Sequence, residues 1–132
     1  MPLNPTRPMP ALPPTNGRAA GSLQHLLLRL QAMGWLLLGR GAAAERVFDR
    51  MLARWPQDAY ALASRAHQRA ASGRLDEAIA DAQRLVEAHP ARGGADWFNL
   101  AFMLEQAGRL DEAEAAARRA LALDERLDRA WY

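Results

Sequence analysis

The chain has 132 residues, half of them apolar and 24% charged, which suits one domain with its own core. It lacks cysteine, which excludes a disulfide framework, a zinc-thiolate site and a cysteine nucleophile. Its net charge of +2 conceals an asymmetry: residues 1–74 carry ten arginines against three acids, and residues 75–132 seven arginines against twelve acids.

Residues 1–21 hold six of the eight prolines. Proline is excluded from both helix interiors and sheet ladders, so this segment reads as a disordered tail with extended stretches. The following run, SLQHLLLRLQAMGWLLLG, is apolar enough to raise the question of a membrane span. Arg29 stands near its centre, where insertion costs about 2.5–3.5 kcal/mol, and His25 and Gln31 interrupt it further. A cleavable signal fits poorly behind a proline-rich leader. The run is assigned instead to a first helix, 22–38.

Apolar periodicity and turn residues then predict helices at 41–54, 58–72, 75–88, 95–107 and 110–123. Gly39, Gly73 and Gly108 follow the first, third and fifth of these, and Pro56 and Pro90 follow the second and fourth. The hexapeptide GRLDEA occurs at 73–78 and again at 108–113. Its glycine supplies the left-handed residue that ends one helix, and its acids sit at the positive end of the next.

These features share one register. Gly39, Gly73 and Gly108 are 34 and 35 residues apart, as are Ala32, Ala66 and Ala101, and Ala44, Ala78 and Ala113. Pro56 and Pro90 recur at 34, as do Trp97 and Trp131. The third unit opens Trp97-x2-Leu100-Ala101-x2-Leu104, and the first contains Ala44-x3-Phe48 followed by Pro56. This pattern resembles the tetratricopeptide repeat. The second unit is worn at its opening, where Leu62, Arg65, Ala66 and Arg69 stand, and Glu125 occupies the place of a third proline.

The resemblance covers about 22–132 and implies an all-α, right-handed superhelical stack of helix–turn–helix repeats behind a disordered tail. The repeats fall at 22–56, 57–92 and 93–127, with 128–132 opening a truncated fourth. Arginine in place of lysine throughout points to a GC-rich, bacterial source, and the setting expected is the cytoplasm.

Chemistry is hard to place on this chain. His25, His67 and His89 are scattered, no phosphate loop or nucleophile elbow occurs, and Asp76-Glu77 and Asp111-Glu112 are explained by the helix dipole. The expectation is therefore no catalytic residue, no cofactor and no metal. What the family resemblance implies instead is a protein-interaction scaffold, taking a peptide or amphipathic helix in a concave groove lined by the first helix of each repeat. In phase with the alanine columns, that groove receives Leu26, Arg29 and Met33 from the first repeat. The second contributes Tyr60, Ser64 and His67, and the third Phe98, Asn99, Phe102 and Glu105.

Members of the family that grip acidic chaperone tails do so with basic residues and asparagines at five groove positions. Here those positions hold Arg29, Met33, Ser64, Ala95 and Asn99, of which only Arg29 fits, so an apolar or amphipathic ligand is favoured. The partner's identity is not legible. The charge asymmetry suits self-association through the C-terminal end. Alternative readings are an accessory domain of a larger enzyme or of a secretion or envelope assembly and, less favoured, a nucleic-acid binder using a basic face such as the row Arg46, Arg50 and Arg54.

Overall fold

The computed structural model describes residues 15–130, with side chains from 21 to 124. Within that span all regular structure is helical: α1 (Thr15–Leu37), α2 (Gly41–Arg54), α3 (Ala59–Ala71), α4 (Leu75–Ala88), α5 (Gly94–Gln106) and α6 (Leu110–Ala130). Helices pair as antiparallel hairpins α1–α2, α3–α4 and α5–α6, and successive hairpins touch through α2–α3 and α4–α5. The result is an all-α stack.

Each hairpin turns the same corner. Gly39, Gly73 and Gly108 have φ of 71°, 82° and 76°, a region that only glycine enters without cost. At each corner the glycine N–H donates to the carbonyl three residues back, and the next N–H reaches five back: Arg40 to Trp35 at 2.8 Å, Arg74 to Arg69 at 2.8 Å, Arg109 to Leu104 at 2.9 Å. This is the paired 6→1 and 5→2 bonding of a Schellman motif. The carbonyls of Arg40, Arg74 and Arg109 then accept from Ala44, Ala78 and Ala113, so one residue closes one helix and opens the next. In both GRLDEA copies the arginine also pairs with the glutamate three residues on, Arg74 with Glu77 and Arg109 with Glu112. The duplicated hexapeptide is the corner and its ion pair.

The alanine columns form the hairpin seams. Ala32, Ala44 and Ala78 are fully buried and Ala66, Ala101 and Ala113 nearly so, because a methyl group lets two helix backbones approach closely. Two apolar clusters fill the stack, one around Phe48, Met51 and Leu62, the other around Ile79, Leu100 and Leu104. Pro56 and Pro90 each stand two residues beyond a helix end, α2 and α4. The loops that carry them are tied to the following hairpin: Arg84 donates to the Pro56 carbonyl at 3.0 Å, His89 to that of Gln57 at 2.6 Å, and the Trp97 indole to that of Pro90 at 2.9 Å.

Two helix ends differ from expectation by more than one residue. α1 begins at Thr15 rather than 22, because nothing after Pro14 forbids helix; residues 1–14 of the predicted tail lie outside the described residues. α6 runs to Ala130 rather than stopping at 123, since Glu125 replaces the proline that would have ended it. Residues 128–130, read as the opening of a fourth repeat, continue α6, and 131–132 lie outside the described residues. Gly94 is buried where α5 starts against α6. A Cβ there would stand 2.5 Å from the Asp124 carboxylate and 3.0 Å from the Ala120 carbonyl oxygen.

Candidate functional site

Between α3 and α5 lies a cavity of about 380 Å³. Its floor is small and apolar, made by Ala63, Ala66 and Ala70 of α3 with Ala82 and Leu85 of α4. Around that floor stand His67, Asn99 and Gln106, with Phe102 and Met103 forming the α5 wall. Asp96 closes one end, where Arg92 holds both carboxylate oxygens at 3.0 Å. Such an arrangement accepts an apolar side chain and offers neutral hydrogen-bonding groups beside it.

Three of the sequence-predicted groove residues, His67, Asn99 and Phe102, meet at this cavity. The others divide between its two sides. Phe98 and Glu105 face away from it into a second depression of about 420 Å³ against α6, shared with Phe102 and lined also by Ala101, Leu110, Ala113, Glu114 and Ala117. The reason is geometric: Phe98 and Phe102 are one helical turn apart, and only Phe102 lies where both sides of α5 are reached.

On the α1 side, Leu26 and Met33 are exposed, and Ser64 is half-buried on α3. Arg29 stacks on Tyr60 with its guanidinium carbon 4.3 Å from the ring centre, so it bridges α1 and α3. Tyr60 in turn meets Phe48 edge-on at 6.0 Å.

Ala71 and Gln106 also line the cavity, and the sequence reading omitted them. They stand 35 residues apart at one repeat position, equivalent to Leu37 of α1, so the signal was present in the period.

Beside the cavity, an ion-pair network with no counterpart in the expected motif ties α2, α3 and α4 together. Asp81, on α4 beside the cavity floor, is buried. Arg65 donates to both of its oxygens at 2.7 and 2.9 Å, and Arg69 adds a third bond at 2.9 Å. Arg65 also reaches Asp49 at 2.8 Å, and Arg69 reaches Glu45 at 3.0 Å, which binds α2 to α3 and α4. Arg74 completes the set by pairing with Glu45. The hydrogen bond from Arg74, together with that from Arg69, holds the Glu45 carboxyl below its usual range despite burial, and the bonds that Arg65 donates to Asp81 and Asp49 raise its guanidinium. The worn opening of the second repeat is this network: Arg65 and Arg69 stand at the positions of Leu100 and Leu104 in the third.

Elsewhere, His25 donates to Asp58 at 2.7 Å, and the same carboxylate caps α3 by accepting from the Ala61 N–H at 2.9 Å. In the arginine row, Arg50 reaches Gln31 at 3.4 Å and Arg54 stacks on Trp55, while Arg46 is exposed beside Asp49. Among the described residues no helix is long and apolar enough to cross a membrane.

The sequence pattern of the tetratricopeptide repeat matches residues 94–127. No curated protein matches the chain. Among solved structures, the chain is similar to a MamA RS-1 double mutant at 18% identity and a TM-score of 0.72, over 78% of this chain and 57% of that one. It is also similar to SycD, a type III secretion translocator chaperone of Yersinia enterocolitica, at 24% identity and a TM-score of 0.70, over 77% of this chain and 70% of that one. A third similar structure is the first TPR of Spaghetti (RPAP3) bound to an HSP90 peptide, at 16% identity and a TM-score of 0.69, over 76% and 79% of the two chains. The chain thus spans just over half the length of the MamA it matches. With a tetratricopeptide repeat matched at 94–127, the same corner built three times and this fold shared along most of its length, the chain contains a tetratricopeptide repeat within an all-α helical repeat stack of the tetratricopeptide fold.

Proposed function

We propose that the chain is a non-catalytic interaction module whose ligand is a peptide or amphipathic helix seated in the concave groove, with one apolar anchor in the cavity between α3 and α5. The observation that carries this reading is the cavity itself: an alanine floor of the size that accepts a Leu, Met or Phe side chain, ringed by His67, Asn99 and Gln106. Support comes also from two similar structures, one a translocator chaperone and one holding a peptide. The acidic-tail clamp is disfavoured because its only matching residue, Arg29, is engaged with Tyr60. The setting we propose is the bacterial cytoplasm, on the arginine-only basic composition.

The test is selection of binding peptides from a random phage-displayed library, followed by fluorescence polarisation with the winning peptide. Ala71→Trp places an indole over the exposed edge of the cavity without entering the core. It is expected to weaken binding at least tenfold while the circular dichroism melt is unchanged. Equal affinity for parent and Ala71→Trp would overturn the reading.

A further inference from the structure

The face that seats each hairpin on the one before it is present on α1, where its leucines are exposed among the described residues. Stepping by 34 and 35 residues, Leu27 of α1 corresponds to Ala61 of α3, which is fully buried, and Gly34 corresponds to Met103 of α5, also buried; Leu27 itself is 57% exposed. Around it, Leu23, Leu26, Leu30, Met33 and Leu37 are all exposed at spacings of three, four, three and four. That spacing makes a continuous seam of the kind that packs against another helix. The core of the chain uses the opposite side of α1, through Leu28, Ala32 and Trp35.

The complementary face lies at the other end of the stack. Val86 and Ala82 of α4 are covered by α5, and their equivalents one repeat later are Leu121, 54% exposed, and Ala117. Beside them is the depression lined by Phe98, Phe102 and Leu110. The two ends differ in charge. Described residues of α1, α2 and their joint, 21–54, hold five arginines against two acids, and those from 94 to 124 hold six acids against three arginines. Glu105 and Glu114 rim the C-terminal depression, while α1 contains no acid.

We propose that the α5–α6 face of one copy seats on the α1 seam of a second copy, in a head-to-tail contact that continues the superhelix. Charge decides between this and pairing of like ends: an α1–α1 contact brings base to base, whereas the head-to-tail contact brings the acidic rim to the arginine-rich end. A contact of this kind is heterologous, so it leaves a free seam and a free face on every pair and propagates.

Sedimentation velocity on the full chain tests it with two variants at exposed positions, Leu27→Glu on the seam and Leu121→Arg on the C-terminal face, both verified as folded by circular dichroism. The parent is expected to show a sedimentation coefficient that rises with protein concentration at low ionic strength and less steeply at high. Each variant alone should stay monomeric, and an equimolar mixture should give a heterodimer, because each supplies the face the other lacks. A parent that remains monomeric throughout overturns the proposal and leaves the seam to a helix of another protein. Self-association retained by Leu121→Arg but lost by Leu27→Glu overturns it in favour of α1–α1 pairing, and a mixture that stays monomeric overturns it as well.

Discussion

Arg65 grips both carboxylate oxygens of Asp81, at 2.7 and 2.9 Å, across the α3–α4 seam. Asp81 is almost fully buried, so removing its partner strands a charge. One repeat later the corresponding positions hold Leu100 and Ala116, and Leu104 stands in for Arg69. The same joint is built once with ions and once with hydrocarbon. Asp81→Ala or Arg65→Leu alone is expected to cost about 3–5 kcal/mol in urea unfolding. The triple replacement Arg65→Leu, Arg69→Leu and Asp81→Ala is expected within about 1 kcal/mol of the parent or above it, since Glu45 keeps Arg74 and Asp49 is half-exposed.

Glu45 gives the network a pH dependence. Its folded pKa is depressed, chiefly by the hydrogen bond from Arg74, so its stabilisation is fully present above the ordinary carboxylate range and is lost as pH falls through the folded value. Glu45→Gln should therefore be less stable than the parent near neutrality, with the gap closing below about pH 4. Thermal melts at a series of pH values check this; a gap constant with pH contradicts it.

The corners make a separate prediction. A Cβ on Gly73 or Gly108 meets nothing within 4 Å, so alanine there is penalised only by its backbone. Gly73→Ala and Gly108→Ala should each cost about 1–2 kcal/mol. Gly34→Ala, equally uncrowded but inside α1, should stabilise by about 0.5–1 kcal/mol. Opposite signs from the same chemical change, read in chemical denaturation, would isolate the left-handed corner as the cause.

What the sequence made legible and what it hid divide along this line. The corners were legible because only glycine serves there, and the predicted ends of α2 and α4 agree with the structure because proline stops a chain locally. The ends of α1 and α6 were misplaced where no such stop exists. Arg65 and Arg69 read as decay of the motif, because a buried carboxylate sixteen and twelve residues away leaves no local trace. Phe98 was placed in the groove with Phe102 by phase with the alanine columns, which gives a side of α5 but not which neighbour each ring meets.

That division has a functional consequence for the two phenylalanines. Phe102 borders the α3–α5 cavity and Phe98 does not. Phe102→Ala is expected to cost a groove-bound peptide about 2 kcal/mol, the usual scale for an aromatic anchor. Phe98→Ala should leave that affinity within twofold and instead reduce concentration-dependent sedimentation. Titration calorimetry with the selected peptide, paired with ultracentrifugation of each variant, separates the two effects.

The central claim is that ligand enters between α3 and α5, and site-specific photo-crosslinking addresses it most directly. A photoreactive residue is placed at His67 or Gln106 on the cavity wall, at Arg46 in the arginine row on α2, or at Leu121 on α6, and each protein is irradiated with the selected peptide. The account predicts crosslinks from positions 67 and 106, abolished by Ala71→Trp, and none from 46 or 121. Crosslinks from position 46 with none from 67 or 106 would contradict it and move the binding face to the arginine row.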